Sequence, residues 1–519
     1  MVTPAIIRAV TNADQPTLTS MRVVRWWDSL PRATRIVMVV LPVTLAAFAA
    51  WAFGEAIGQH HHQFDLRLYY DAINYWQSGH DLFAYSQPDP VNISLGFTYP
   101  PVAALLMSPM GLLSYPVVLV ISLVAIVASA AAFVYLVLRE RIRLPKPLML
   151  AAAGVATAFA FTLEPFRQTL SFGQINIYLA LLVLVDLLVL GRRGSRWTGV
   201  GIGLATAIKL TPGIFIVYLF LVGRWRAGLT AIGTVAAANL ISAMIAPGET
   251  WRYFTSLIWE TSRVGFLDTT MNQSVNGLLA RLDAPFAPGK LPWVILVGLL
   301  AVVGLWRARR AALGGDELAG LTLAGLVGVL VSPVSWVHHI VWVFPAMVIL
   351  TRRLVSSIRA LASDDSGYAS SDRALMTRIA QVVGYSVLMT AGLAIWCTPT
   401  ASLMNVRDID YDHGGALLAV AGSVQLLWMV LVLFVLPLHR SSAERPAGPT
   451  GLPAVDVQRP AGRGSVPAAA LRTRVVLPAP SITDASSADV SLTDATVTAT
   501  HPATGRARPG LPTQRDPQG

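Results

Sequence analysis

The sequence predicts an all-α polytopic membrane protein, and three observations carry the prediction. Of 519 residues, 54% are hydrophobic and only 13% charged, about half the charged fraction of soluble domains. The mean hydropathy is +0.58. Apolar segments recur along the chain at lengths near the roughly 20 residues that a hydrocarbon core demands. This composition excludes a disordered protein, a nucleic-acid module and an ordinary cytosolic enzyme. The net charge of +11 then reflects basic residues kept on one face of a membrane, not nucleic-acid binding. The single cysteine, Cys397, excludes an intrachain disulfide and a cysteine-based metal site.

About twelve spans are expected: 36–53, 115–138, 148–163, 173–190, 198–209, 210–223, 227–246, 292–306, 318–333, 335–351, 377–396 and 414–437. The first starts too far into the chain, and is too long, to be a cleaved signal. The pair 198–223 reads as two half-length helices joined at Lys209-Leu210-Thr211-Pro212, because Pro212 ends or kinks a helix.

Basic residues set the orientation. Arg22 to Arg35, Arg139 to Lys146, Arg192 to Arg196, Arg224, Arg226, Arg307 to Arg310, Arg352 and Arg353 share one side only if Thr98–Leu113 does not cross. That stretch therefore reads as a re-entrant or interfacial helix, opened by Tyr99-Pro100-Pro101. The opposite face would carry seven basic and thirteen acidic residues, a net of −6. The basic side is cytoplasmic, so the domain plan is a cytoplasmic segment 1–35, a transmembrane domain 36–437 and a tail 438–519. Outer loops are expected at 54–114, 247–291 and 397–413. The tail is rich in Pro, Ala, Ser, Thr and Gly without apolar periodicity, and reads as disordered and cytoplasmic.

Candidate chemistry concentrates in the outer loops and helix junctions. Asp65-Leu66-Arg67-Leu68-Tyr69-Tyr70-Asp71 follows the first span. If helical, it puts Asp65 and Tyr69 one turn apart, with Asp71 at i+6. A carboxylate at the membrane boundary, partly desolvated, gains basicity suited to a general base; otherwise it is a solvated loop acid. Tyr69, Tyr75, Trp76, Tyr85 and Tyr99 either stack on sugar faces or mark the membrane interface. Glu164, Arg167, Gln168, Gln174 and Asn176 flank an outer turn, as headgroup ligands or as ordinary caps and interhelical bonds. Lys209 is a lysine inside an apolar stretch, and an intramembrane charge is a functional candidate with a lipid phosphate as natural partner; the alternative is snorkelling. His338 and His339 lie at another outer junction. Adjacent on a helix, they point about 100° apart and do not easily share a metal. His60-His61-His62 reads as a solvated loop face. No nucleotide-binding or protease motif is present, so any reaction energy arrives with the substrate.

Six segments in order resemble the polytopic type-C glycosyltransferases, specifically glycosyltransferase family eighty-seven: DLRLYYDAINYWQSGHDLFAY (65–85), FTYPPVAALLMSPMGLL (97–113), FGQINIYLALLVLVDLL (172–188), GIGLATAIKLTPGIFIVYLFLVGRW (201–225), NQSVNGLLARL (272–282) and SPVSWVHHIVWVFPAMVIL (332–350). The family includes actinobacterial polyprenol-phosphate-mannose-dependent α-(1→2)-mannosyltransferases, and the likeness covers about residues 35–437. The resemblance implies a type-C fold in the plasma membrane with its site on the extracytoplasmic face. The donor would be polyprenyl-phosphate mannose, and the acceptor a mannosylated phosphatidylinositol glycolipid such as lipomannan or lipoarabinomannan. Asp65 would be the catalytic acid/base residue. Lys209, His338 or His339, and Arg167 would meet the donor phosphate or sugar. Asp71, Tyr69, Tyr99, Gln174 and Asn176 would bind acceptor or support the site. No cofactor, divalent metal or nucleic acid is expected. The competing functions are a transferase for another lipid-linked sugar such as arabinofuranose, and a lipid-linked saccharide transporter or flippase.

Overall fold

The computed structural model describes residues 25–57, 61–89, 92–283, 289–362, 372–400 and 411–438. Most of the outer loop expected at 397–413, all but the first residue of the tail and most of the N-terminal segment lie outside the described residues.

The chain is a helical membrane protein. Five helices are long and apolar enough to cross a bilayer: α1 (Arg32–Ile57), α4 (Tyr115–Arg139), α10 (Trp225–Ile245), α13 (Lys290–Leu313) and α16 (Asp372–Cys397). A sixth span is possible by length and composition if α5 (Lys146–Ala160) and α6 (Glu164–Phe172), bent 80° to each other, count as one. Further apolar helices are shorter than a full crossing. They include α7 (Asn176–Leu184), which continues as a π-helical stretch to Gly191, α9 (Ile214–Leu221), α14 (Glu317–Val331) and α18 (Val424–Val435). Of the roughly twelve spans expected from the sequence, several of them already short for a full crossing, five are helices of crossing length among the described residues.

The surface explains why this body needs lipid. Helix α1 buries none of its side chains and exposes Leu41, Leu45, Phe48 and Trp51. Val120 and Val124 of α4, Met244 of α10 and Val302 of α13 also face outward. In water such continuous apolar surface is a liability; hydrocarbon solvates it. The interior is organised around α14, buried from Glu317 through Leu330, as expected of a helix apolar on every side. Its neighbours approach closely because small residues face them. A Cβ on Gly325 would lie 2.3 Å from the Trp342 ring, and one on Gly320 2.6 Å from the Tyr218 hydroxyl.

At the N-terminal end of α14, Asp316 pairs with Arg141, and Glu317 with Arg224. Arg192 pairs with Glu140 beside them, and Arg309 donates to the Leu221 carbonyl at 2.9 Å. Basic segments assigned to one side from charge alone therefore gather at one end of the bundle.

The other end is a cap built from the loops after α1 and α10. It contains α2 (Phe64–Gln77), a hairpin of β1 (Ser86–Asp89) and β2 (Ile93–Gly96), α3 (Pro101–Met107) and α11 (Pro247–Thr255). The strands are antiparallel, with Asp89 opposite Ile93. This hairpin departs from the all-α expectation: Pro88 disfavours helix and is tolerated on an edge strand. The two loops clamp together. Trp76 donates to Glu249 at 2.9 Å, Arg252 pairs with Asp81, and Arg263 donates to the Phe97 carbonyl at 3.0 Å. Leu68, Tyr69, Phe83, Phe97, Tyr99 and Tyr253 form the cap's apolar core.

Two junctions differ from regular spans. The break at Lys209 is as expected: α8 (Val200–Ile208) stops there and a 3₁₀ turn at Thr211–Gly213 precedes α9. The span expected at 335–351 begins later, as α15 (Val343–Ala362). Residues ahead of it leave the helical path because Ser335 donates its hydroxyl to the Val329 carbonyl at 2.7 Å, and its N–H to Asn272 Oδ1 at 3.0 Å. A 3₁₀ turn at Val337–His339 follows.

Candidate active site

Three interruptions of helix meet beneath the cap, and each presents a functional side chain. The first is the turn between α6 and α7. Gly173 closes α6 in the left-handed conformation, φ 71°, with Gln174 N–H returning to the Thr169 carbonyl at 2.9 Å. A Cβ at Gly173 would stand 2.6 Å from Leu66 Cβ. Glycine thus permits both the turn and the close approach of α2, and that approach brings Gln174 against Asp65. The second is the break after α8, where Lys209 adopts extended backbone. The third is the 3₁₀ turn carrying His338 and His339.

These side chains form one hydrogen-bonded chain. Gln174 Nε2 donates to Asp65 Oδ2 at 2.5 Å. Asn176 Nδ2 donates to Gln174 Oε1 at 3.0 Å, and Lys209 Nζ donates to Asn176 Oδ1 at 2.8 Å. Lys209 Nζ also lies 2.8 Å from His339 Nε2. With Lys209 as the ammonium, which has no lone pair to give, His339 Nε2 accepts there. Lys209 Nζ stands 5.0 Å from the centroid of the Tyr99 ring, a cation–π distance. The Tyr99 hydroxyl lies 2.9 Å from that of Tyr69.

A cavity of about 630 Å³ opens onto this chain, large enough for a ligand of drug-like size. Asp65, Tyr69, Tyr99, Gln174, Lys209, His338 and His339 line it. Burial pushes the Asp65 carboxyl up to about 7, with Asp89 adding to the rise while the Gln174 hydrogen bond and the Lys209 charge oppose it. A carboxyl that titrates near neutrality is suited to proton transfer. His338 is buried, and neither ring nitrogen has a hydrogen-bond partner among the described residues, so it enters the wall ready to meet a polar ligand.

Asn176 stands behind this wall, through Gln174 and Lys209, without lining the cavity. Arg167 is not part of it: Nη1 donates to the Thr162 carbonyl at 2.6 Å and the guanidinium faces Phe53 of α1. Asp71 is also elsewhere. Six residues along a helix is about 240° around it, and Asp71 pairs with Arg67 at 2.7 Å on the exposed face of α2. The solvated reading of His61 is corrected, because its ring stacks on Phe172 at 3.8 Å and lines the cavity. Trp76, by bonding Glu249, ties the loops and does not reach the cavity.

Sequence reasoning missed Asp89, Asn92, Glu260 and Arg263, which also line the cavity. They come from the β-hairpin and the 257–264 turns, where no local periodicity distinguishes a lining residue from a solvated one. Among the described residues, no three of His, Cys, Asp and Glu are grouped to hold a metal ion.

The fold and cavity define a membrane-embedded protein in which a buried carboxyl and a lysine face the same space. A family model for Glycosyltransferase family 87 matches residues 97–333. The chain is 34% identical over 316 residues to the polyprenol-phosphate-mannose-dependent alpha-(1-2)-phosphatidylinositol mannoside mannosyltransferase of Mycobacterium tuberculosis, covering 58% of this chain and 73% of that protein. It is 33% identical over 339 residues to the corresponding phosphatidylinositol pentamannoside mannosyltransferase of Mycolicibacterium smegmatis, covering 63% and 78%. A phosphatidylinositol mannoside mannosyltransferase of the latter organism is 28% identical over 435 residues, covering 79% and 91%. The chain belongs to glycosyltransferase family 87. No solved structure matches it.

Proposed function

We propose that the protein transfers mannose from polyprenyl-phosphate mannose to the 2-hydroxyl of a mannosylated phosphatidylinositol acceptor, forming an α-(1→2) linkage. The relatives' names supply the donor and acceptor class. The observation that carries the reading is that Asp65 and Lys209 line one cavity.

In this mechanism Asp65 takes the proton of the acceptor hydroxyl as its oxygen attacks C1 of the donor sugar. The C1–phosphate bond breaks on the opposite side, its electron pair leaves with the phosphate, and a β-linked donor gives an α-linked product. Positive charge develops at C1 and negative charge on the departing phosphate. Lys209 offsets the latter with the N–H not engaged by Asn176 or His339, and His338 offers a further polar contact. This arrangement needs no divalent cation. The cap end would face the extracytoplasmic side of the plasma membrane, the basic end and both termini the cytoplasm. The test is linkage analysis after purified protein in detergent receives the lipid-linked donor and a defined mannoside. An α-(1→2)-linked product supports the proposal; no linked product from folded, monodisperse protein removes it in favour of carriage.

A further inference from the structure

We propose that Gln174 and Asn176 form a positioning relay that ties the orientation of the Asp65 carboxylate to the Lys209 ammonium. The inference rests on the reading of Asp65 as the base and goes beyond it, because neither amide touches the reacting atoms in that mechanism.

The polarity of the relay follows from the chemistry of its ends. An ammonium only donates hydrogen bonds and an ionised carboxylate only accepts them. A primary amide has one donating end and one accepting end. Two amides in series between these ions satisfy every partner in only one sense, with each oxygen toward the lysine and each nitrogen toward the aspartate. That is the arrangement observed: Lys209 Nζ to Asn176 Oδ1, Asn176 Nδ2 to Gln174 Oε1, Gln174 Nε2 to Asp65 Oδ2. The Tyr99 hydroxyl donates to the same Gln174 oxygen at 3.4 Å, which favours the same sense. Gln174 and Asn176 are 4% and 7% exposed, so water has little room to replace a partner lost by an amide flip. The backbone reinforces the pair: Gln174 follows the left-handed Gly173, and Asn176 opens α7 two residues later. One short turn therefore holds both amides against residues that come from α2 and from the break after α8.

The relay fixes which carboxylate oxygen is occupied. Gln174 holds Oδ2, leaving Oδ1 to receive the acceptor's proton. The lysine end resists reversal of the amides, so loss of the lysine or of Asn176 loosens the carboxylate without touching it.

The test is the pH dependence of kcat/KM in four variants. The groups facing Asp65 are Asp89 on β1, Tyr69 on its own helix, Tyr99 ahead of α3, and Lys209, and all stay in place when Gln174 is replaced. In Gln174→Leu the acid limb moves to higher pH by about one unit, a tenfold fall in base form below it, because a hydrogen bond to the charged carboxylate is gone. Gln174→Glu keeps the side-chain size and moves the limb in the same direction through like-charge repulsion, so it serves if the leucine variant fails to fold. Asn176→Leu gives a smaller shift of the same sign. In the double variant Gln174→Leu with Asn176→Leu the limb moves no further than in Gln174→Leu alone, since both reach Asp65 through one chain. An unmoved limb in both Gln174 variants, or limb shifts that add in the double variant, overturns the relay. If either occurs while Asp65→Asn is inactive, the proposed function survives and only the relay falls; activity retained in Asp65→Asn would instead remove the base.

Discussion

Lys209 Nζ lies 2.8 Å from His339 Nε2, across 130 residues of sequence, and each residue sits where a helix has been interrupted. A regular helix spends its backbone groups on itself and points its side chains at neighbours. A break lets one polar side chain turn away from lipid and toward a shared cavity. The same interruption operates at Gly173–Gln174, so polar parts of the site come from irregular joints held by a rigid apolar scaffold.

The first prediction concerns pH. Asp65 acts in its deprotonated form, and its carboxyl titrates at about 7. Transfer should therefore fall tenfold per unit below that value. A rate profile from pH 5 to 9 in purified protein checks this. A profile flat down to pH 5 would contradict the raised Asp65 carboxyl.

Lys209→Met removes the ammonium while keeping an apolar stem of similar length. The kcat/KM for lipid-linked donor should fall by about 10²- to 10³-fold, as loss of a charge stabiliser at a leaving group does. Lys209→Arg should not restore it, because the planar guanidinium does not reproduce the paired 2.8 Å contacts to Asn176 and His339. Donor-concentration series with both variants decide the matter; unchanged kcat/KM in the methionine variant would reduce Lys209 to a snorkelling side chain.

Lys209 was legible in the sequence for a physical reason: a lysine inside an apolar run is a costly placement, and cost shows in a one-dimensional pattern. The residue pattern left Asp65 open between a base and a solvated loop acid, and the family resemblance singled it out. Arg167 looked equivalent, yet its guanidinium turns to Thr162 and Phe53. The direction of a side chain on a short helix depends on what the folded bundle places around it, which no local spacing encodes. His61, Asp89 and Arg263 were lost for the same reason: loop residues become a cavity wall only through packing of two loops distant in sequence. The break at Lys209 was readable because proline chemistry is local. The late start of α15 was not, because Asn272, far upstream, draws Ser335 out of the helix.

Gly173→Ala tests the joint that brings α2 to the site. The substitution meets both a positive φ and a Cβ approach of 2.6 Å to Leu66. It should destabilise the protein by about 1–3 kcal/mol and lower transfer, as Gln174 withdraws from Asp65. Thermal unfolding in detergent and transfer rate measured together check it; wild-type values for both would show that the turn tolerates a side chain.

Asp71→Asn should leave transfer within about threefold of wild type. Its partner Arg67 is half exposed, and an exposed i,i+4 pair contributes about 0.3–0.5 kcal/mol. A large loss on assay of this variant would return Asp71 to the site and question the geometry of α2.

The most direct measurement is mannosyl transfer by Asp65→Asn, assayed with lipid-linked mannose and a phosphatidylinositol mannoside acceptor. Asparagine keeps the shape and a hydrogen-bonding oxygen for Gln174 but cannot take up the acceptor's proton. The account predicts a fall of about 10²- to 10⁴-fold in kcat with donor binding retained. A rate near wild type would contradict it.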